Sequence, residues 1–269
     1  MDASAIASEA PSTRRGLRGV VEAHPLIAFF ALTFPLSWVI VPFTGGQINP
    51  LGPLLAALIL SALVGGRAQV GAWLRRSFTP TGRLRWYALA IVIVVGVYSA
   101  AVGIALLAGA AVPAGEDLRA WPEILFVFPL YLVVIAATEE SGWRGYAMPR
   151  LAEAHGTMKA SAVLGVVIAA WHLPLVISGD QVAVVLGAIF ASQFLFTWLQ
   201  SRTGGSVPVV MVAHAAQGGI AGAYFGPMFT GSDETLQLSI WTGLLALVVA
   251  GIVAASRRRR GSVAPPLAA

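Results

Sequence analysis

Residues 122–145 read PEILFVFPLYLVVIAATEESGWRG, a long apolar run that ends in Glu139, Glu140 and Arg144. About 20 predominantly apolar residues are enough for a helix to cross a bilayer, so this stretch predicts a transmembrane helix. An ionisable side chain in such a helix costs roughly 2.5–3.5 kcal/mol on insertion scales. Two adjacent acids therefore point to a functional site or to an interfacial ladder with the arginine. The two readings are equal for this segment taken alone.

Seven further apolar runs surround it, near 26–43, 51–66, 86–111, 160–177, 181–199, 207–225 and 236–255. Together they predict an all-α, polytopic transmembrane bundle of about eight spans. Composition agrees, with 57% hydrophobic and 11% charged residues, well outside the range of soluble domains. The absence of cysteine excludes disulfides, thiolate ligands and cysteine nucleophiles. The first run lacks a small-residue cleavage site after it and reads as a retained helix. Residues 1–22 and 256–269 read as disordered tails flanking one membrane domain, 23–255, whose polar clusters fall in a core at about 122–225.

Loop charge sets the orientation. Arg67, Arg75, Arg76, Arg83 and Arg85 follow the second run; Arg144, Arg150 and Lys159 follow the fourth, Arg202 the sixth, and Arg257 to Arg260 the eighth. The intervening loops carry Glu116, Asp117, Asp180, Asp233 and Glu234, with Arg119 their one basic residue. Basic loops stay in the cytoplasm, so both termini are predicted inside. The basic tail then contacts anionic headgroups of the bilayer, and no nucleic-acid partner is expected.

Three polar clusters lie in the second half. Glu140 and Arg144 are four apart and share a helix face, whereas Glu139 is rotated by about 100° and can face the bundle interior. His172 sits in an apolar run, beside Pro174, which lacks a backbone donor. His214, in a later run, is followed by Gln217 and Gly218. One such histidine is most simply a hydrogen-bonded core residue. Two acids and two histidines on three helices form instead a set able to activate water, directly or through a metal. The contiguous H-E-x-x-H zinc pattern is absent, so the set would have to be assembled from separate helices.

These residues resemble the CAAX protease and bacteriocin-processing family of Abi-type intramembrane proteases, related to type II CAAX prenyl endopeptidases. Glu139-Glu140-Ser141-Gly142-Trp143-Arg144 matches the EExxxR motif, and His172 and His214 match the histidines of two later motifs. Ile168 stands where the family has phenylalanine, and Gly218 stands where it has Asn or Asp.

The resemblance implies an intramembrane endopeptidase acting near the cytoplasmic face, in a bacterial cytoplasmic membrane, on a membrane protein or peptide that can be lipid-modified. It implies that Glu139 and His172 activate water, that His214 supports the oxyanion, and that Glu140 and Arg144 are an orienting pair. Gln217 is the candidate to supply the donor Gly218 lacks. Residue types do not decide between a glutamate-only mechanism, the reading favoured here, and a zinc enzyme for which Glu139, His172 and His214 offer a donor set. The alternatives are a catalytically inactive relative acting as a scaffold or bacteriocin self-immunity protein, and a proton-coupled transporter. The transporter gains nothing from internal symmetry, since no repeat is visible.

Overall fold

The computed structural model describes residues 16–261, and among them every regular element is helical. The chain opens with α1 (Leu17–Ala23), α2 (Pro25–Trp38), α3 (Gly52–Phe78) and α4 (Leu84–Leu107). A short α5 (Gly115–Arg119) leads into α6 (Ile124–Tyr131), α7 (Ala137–Gly142) and α8 (Met148–His155). Two π-helical turns, Leu132–Ala136 and Trp143–Ala147, join these last three. Then come α9 (Thr157–Trp171), α10 (Leu173–Ile177), α11 (Val185–Arg202) and α12 (Val207–Ala215). A ten-residue π segment, Ala216–Phe225, extends α12, and α13 (Ser232–Gly261) closes the described chain.

All eight apolar runs fall on helices. Five stretches are long and apolar enough to cross a membrane: Pro25–Phe43, Gly52–Phe78, Leu84–Leu107, Gly115–His155 and Ser232–Ser256. The runs at 160–177, 181–199 and 207–225 fold as α9 with α10, as α11, and as α12 with its π extension. Two of these three are interrupted in mid-run, and the interruptions carry His172 and follow His214.

The tails differ from expectation where they are described. Leu17–Ala23 is helical because Val21 finds a buried place in the core and Arg18 pairs with Glu22 at 2.9 Å. Residues 1–15 and 262–269 of the expected tails lie outside the described residues. Helix α13 carries on through the arginine run to Gly261.

Two core clusters flank the centre of the bundle. The first joins α2, α3, α9 and the second π turn through Phe29, Leu60, Trp143, Leu164 and Trp171. The second joins α4, α11, α12 and α13 through Tyr98, Leu195, Phe196, Val210 and Trp241. Within α3, Gly66 adopts φ 58° and ψ −150°, so the rod breaks where its apolar half ends. Only glycine takes this conformation without strain, and the arginine-bearing half of α3 is redirected there.

The junction of α7 with α3 positions the acidic pair. A Cβ at Gly142 would lie 2.4 Å from the Pro53 carbonyl oxygen, and one at Gly145 would lie 2.1 Å from Ser77 Oγ. Gly142 thus lets its helix touch the α3 backbone, and Gly145 makes room for the Ser77 side chain, as small residues do between membrane helices. Trp73 Nε1 donates to the Ser141 carbonyl at 2.9 Å and fixes the contact. Gly142→Ala should lower stability by about 1–3 kcal/mol, the usual scale of overpacking, read as an earlier thermal melt in detergent.

Candidate active site

Register comes first. In an unbroken α-helix, Tyr131 and Glu139, eight positions apart, would be offset by about 80°. The π turn at Leu132–Ala136 absorbs one extra residue, which makes them equivalent to an i, i+7 pair on one face. Both line a cavity of about 390 Å³, together with Glu140, His172, His214, Gln217 and Gly218. The structure therefore brings all three expected catalytic residues to one place.

Glu139 is 4% exposed and makes no hydrogen bond or ion pair with the described residues. Its carboxylate opens on the cavity. Glu140, one residue on, is hydrogen-bonded through one oxygen and ion-paired through the other. Its Oε1 accepts from His214 Nδ1 at 2.8 Å, and its Oε2 lies 3.4 Å from Arg144 Nε. The two carboxylates thus differ in their contacts: among the described residues Glu139 has no partner, and Glu140 meets His214 and Arg144.

The Glu140–Arg144 pair is present, but its hydrogen bonds run elsewhere than the sequence suggested. Arg144 is wholly buried, and its Nη1 donates to Thr197 Oγ1 at 2.7 Å. Its Nη2 donates to the Gln193 carbonyl at 3.2 Å and to Gln193 Oε1. Thr197 in turn donates to the Gln193 carbonyl and accepts from Ser161 Oγ. Gln193, Thr197 and Ser161 were missed in the sequence. A signal existed: Gln193, Thr197 and Gln200 sit at i, i+4 and i+7 in an apolar run, a polar stripe on one face of α11. Gln200 completes the stripe by donating to the Arg144 carbonyl at 3.4 Å.

Each histidine is held through one ring nitrogen. His172 occupies the single-residue break between α9 and α10, and its Nδ1 donates to the Ile168 carbonyl at 2.8 Å. A carbonyl only accepts, so Nε2 is the nitrogen left for the cavity. The acceptor is backbone, which explains why isoleucine suffices at 168. Pro174 has no N–H to continue the helix, Leu175 N–H turns to the His172 carbonyl, and the Trp171 carbonyl is taken by Trp38 Nε1 at 3.0 Å. His214 donates Nδ1–H to the Glu140 carboxylate and likewise leaves Nε2. A carboxylate behind an imidazole fixes both its tautomer and its orientation. This link between Glu140 and His214 was not anticipated.

Gln217 also faces the cavity, with its Oε1 accepting from Ser192 Oγ at 2.9 Å. Among the described residues no group of three or more His, Cys, Asp or Glu is placed to hold a metal ion. Glu139, His172 and His214 nevertheless line the same cavity, and each imidazole is held through Nδ1, by Glu140 or by the Ile168 carbonyl, so that both Nε2 atoms remain available.

The comparisons with known proteins bear on this same segment. Residues 121–220 match the family of type II CAAX prenyl endopeptidase Rce1-like proteins. This region is Rce1-like. It takes in every cavity residue discussed above, from Tyr131 to Gly218, and it leaves α2, α3, α4 and α13 outside. The chain is also similar to the CAAX prenyl protease 2 of Methanococcus maripaludis, at 46% identity over 52 residues. That alignment spans 19% of this chain and 19% of the relative. The matched residues 121–220 contain the cavity residues Tyr131, Glu139, His172, His214 and Gly218.

Proposed function

We propose that this chain is an intramembrane endopeptidase of the CAAX-processing type, hydrolysing a peptide bond of a membrane-associated protein or peptide. The observation that carries the reading is the unpartnered Glu139 carboxylate opening on a cavity with two imidazoles. Glu139 takes a proton from water as its oxygen attacks the scissile carbonyl, and His172 Nε2 accepts the water's second hydrogen bond to orient it. His214, held by Glu140, presents its Nε2 to the reacting group from the other side. The proton on Glu139 then passes to the leaving nitrogen. General-base assistance of this kind contributes about 10²–10⁴-fold.

The substrate class we favour is a lipid-modified C-terminal segment. An apolar groove of about 440 Å³, lined by Leu54, Leu132, Val133, Thr138, Pro208 and Met211, adjoins α7 beside Glu139. Its size and lining suit a hydrocarbon chain. The Rce1-like match supports the same class.

The test is to compare protein termini by mass spectrometry in cells expressing wild type or Glu139→Ala at equal levels. New termini that depend on Glu139 are expected. Identical termini would reject the protease in favour of a binding or immunity role.

We also propose eight crossings with both termini in the cytoplasm, supported by the arginine-rich loops. The cysteine-free sequence makes this direct to check. A cysteine placed at Thr79 should react with a membrane-impermeant maleimide only in inverted vesicles, and one at Glu116 only in right-side-out vesicles. The reverse pattern would invert the topology.

A further inference from the structure

Position 218 shows what the cavity uses in place of a side chain there. A Cβ built on Gly218 would lie 2.2 Å from both Cε1 and Cζ of Tyr131, and 2.5 Å from its hydroxyl oxygen. The phenol therefore fills the volume into which an Asn or Asp at 218 would extend. Its hydroxyl stands about as far from that Cβ as a side-chain amide nitrogen stands from its own. The ring is held: its centroid lies 6.2 Å from that of His214 in an edge-on contact, and a Cβ built on Gly219 would lie only 3.0 Å from the Tyr131 Cβ. The hydroxyl makes no hydrogen bond with the described residues, yet Tyr131 lines the same cavity as Glu139, His172 and His214. Tyr131 is partly buried, and a phenol in such a place normally finds a partner, so one without a partner among the described residues at a cavity wall is available to a ligand.

We infer that the Tyr131 hydroxyl is a catalytic hydrogen-bond donor to the oxyanion, standing in for the side chain Gly218 lacks. The inference rests on the protease reading and assigns one more residue to its mechanism. As the water oxygen bonds to the carbonyl carbon, its proton goes to Glu139 and the C=O π pair moves onto the carbonyl oxygen. Tyr131 O–H donates to that oxygen and keeps its proton. Collapse re-forms C=O, breaks the C–N bond, and delivers the proton from Glu139 to the nitrogen. Two features of the chain are explained together: a glycine at 218, and a π turn that swings Tyr131 onto the face of Glu139. Gln217, one residue round the helix from Gly218, is the rival donor: its amide oxygen accepts from Ser192 Oγ at 2.9 Å and its two amide N–H groups are left to donate, so the two residues are separated by experiment.

The experiment uses the full chain in detergent and a quenched-fluorescent farnesylated peptide ending in a CAAX sequence. Wild type and Glu139→Gln are measured first. Equal rates for these two would reject the protease reading itself, and this inference with it. Given cleavage that depends on Glu139, Tyr131→Phe should lower kcat by about 10²–10³-fold, as loss of one oxyanion donor does, with KM and melting temperature little changed.

A reciprocal pair guards against a merely structural effect. Gly218→Asn alone should be inactive because of the ring, whereas Tyr131→Ala with Gly218→Asn should regain at least tenfold over Tyr131→Ala. Wild-type kcat in Tyr131→Phe would overturn the assignment. So would a loss found only in Gln217→Ala.

Discussion

Purified Glu139→Gln should lose at least 10³-fold in kcat while melting at the same temperature as wild type or higher. The two halves of this result share a cause. Glu139 is buried and has no hydrogen bond or ion pair with the described residues, so its charge is held at a cost to the fold. Glutamine keeps the shape and removes both the charge and the basic oxygen. General-base loss accounts for up to about 10⁴-fold, and stability rises or stays level because the strained group has gone. Cleavage within tenfold of wild type would remove Glu139 from the mechanism. A melt several degrees lower would show instead that Glu139 carries a structural bond.

The neighbouring residue should behave in the opposite way. Glu140→Ala is expected to lose both activity and stability. The carboxylate compensates Arg144, which is 0% exposed, and removing one member of a buried pair typically costs 3–5 kcal/mol. The same change frees His214 Nδ1, so the imidazole loses the acceptor that sets its tautomer and aim. Glu140→Gln should separate the two effects, since the amide oxygen can still accept from His214 but carries no charge for Arg144. We expect Glu140→Gln to recover part of the activity and little of the stability. Thermal denaturation and single-turnover rates on the three proteins decide the matter. Equal recovery of both would mean that the ion pair and the imidazole are not independently served.

Much of this was legible in the residues. The apolar runs located every long helix, because bilayer-spanning helices are defined by composition over a length that local reading captures. That Glu139 and Glu140 differ in their contacts was legible too, since it depends on helical rotation over one residue. The rest required geometry that sequence does not carry. Whether Tyr131 faces Glu139 depends on one extra residue in a π turn, and nothing in Leu132–Ala136 marks that turn. The Glu140–His214 bond joins residues 74 positions apart on helices whose relative rotation is a tertiary result. The Gln193–Thr197–Ser161 cradle for Arg144 was half visible, as a polar stripe whose partner could not be named.

The bond from Trp38 to the Trp171 carbonyl has a bearing on how small this protein can be made. Trp38 belongs to α2, far outside residues 121–220, yet it caps the break that seats His172. Trp73 of α3 does the same for the Ser141 carbonyl beside the acidic pair. The Rce1-like hundred residues are thus not an autonomous unit. Excised, they would expose two backbone acceptors to hydrocarbon and lose the walls that aim their side chains. Transplanting the chemistry to another scaffold therefore means carrying two indole donors from helices that contribute no reactive group at all.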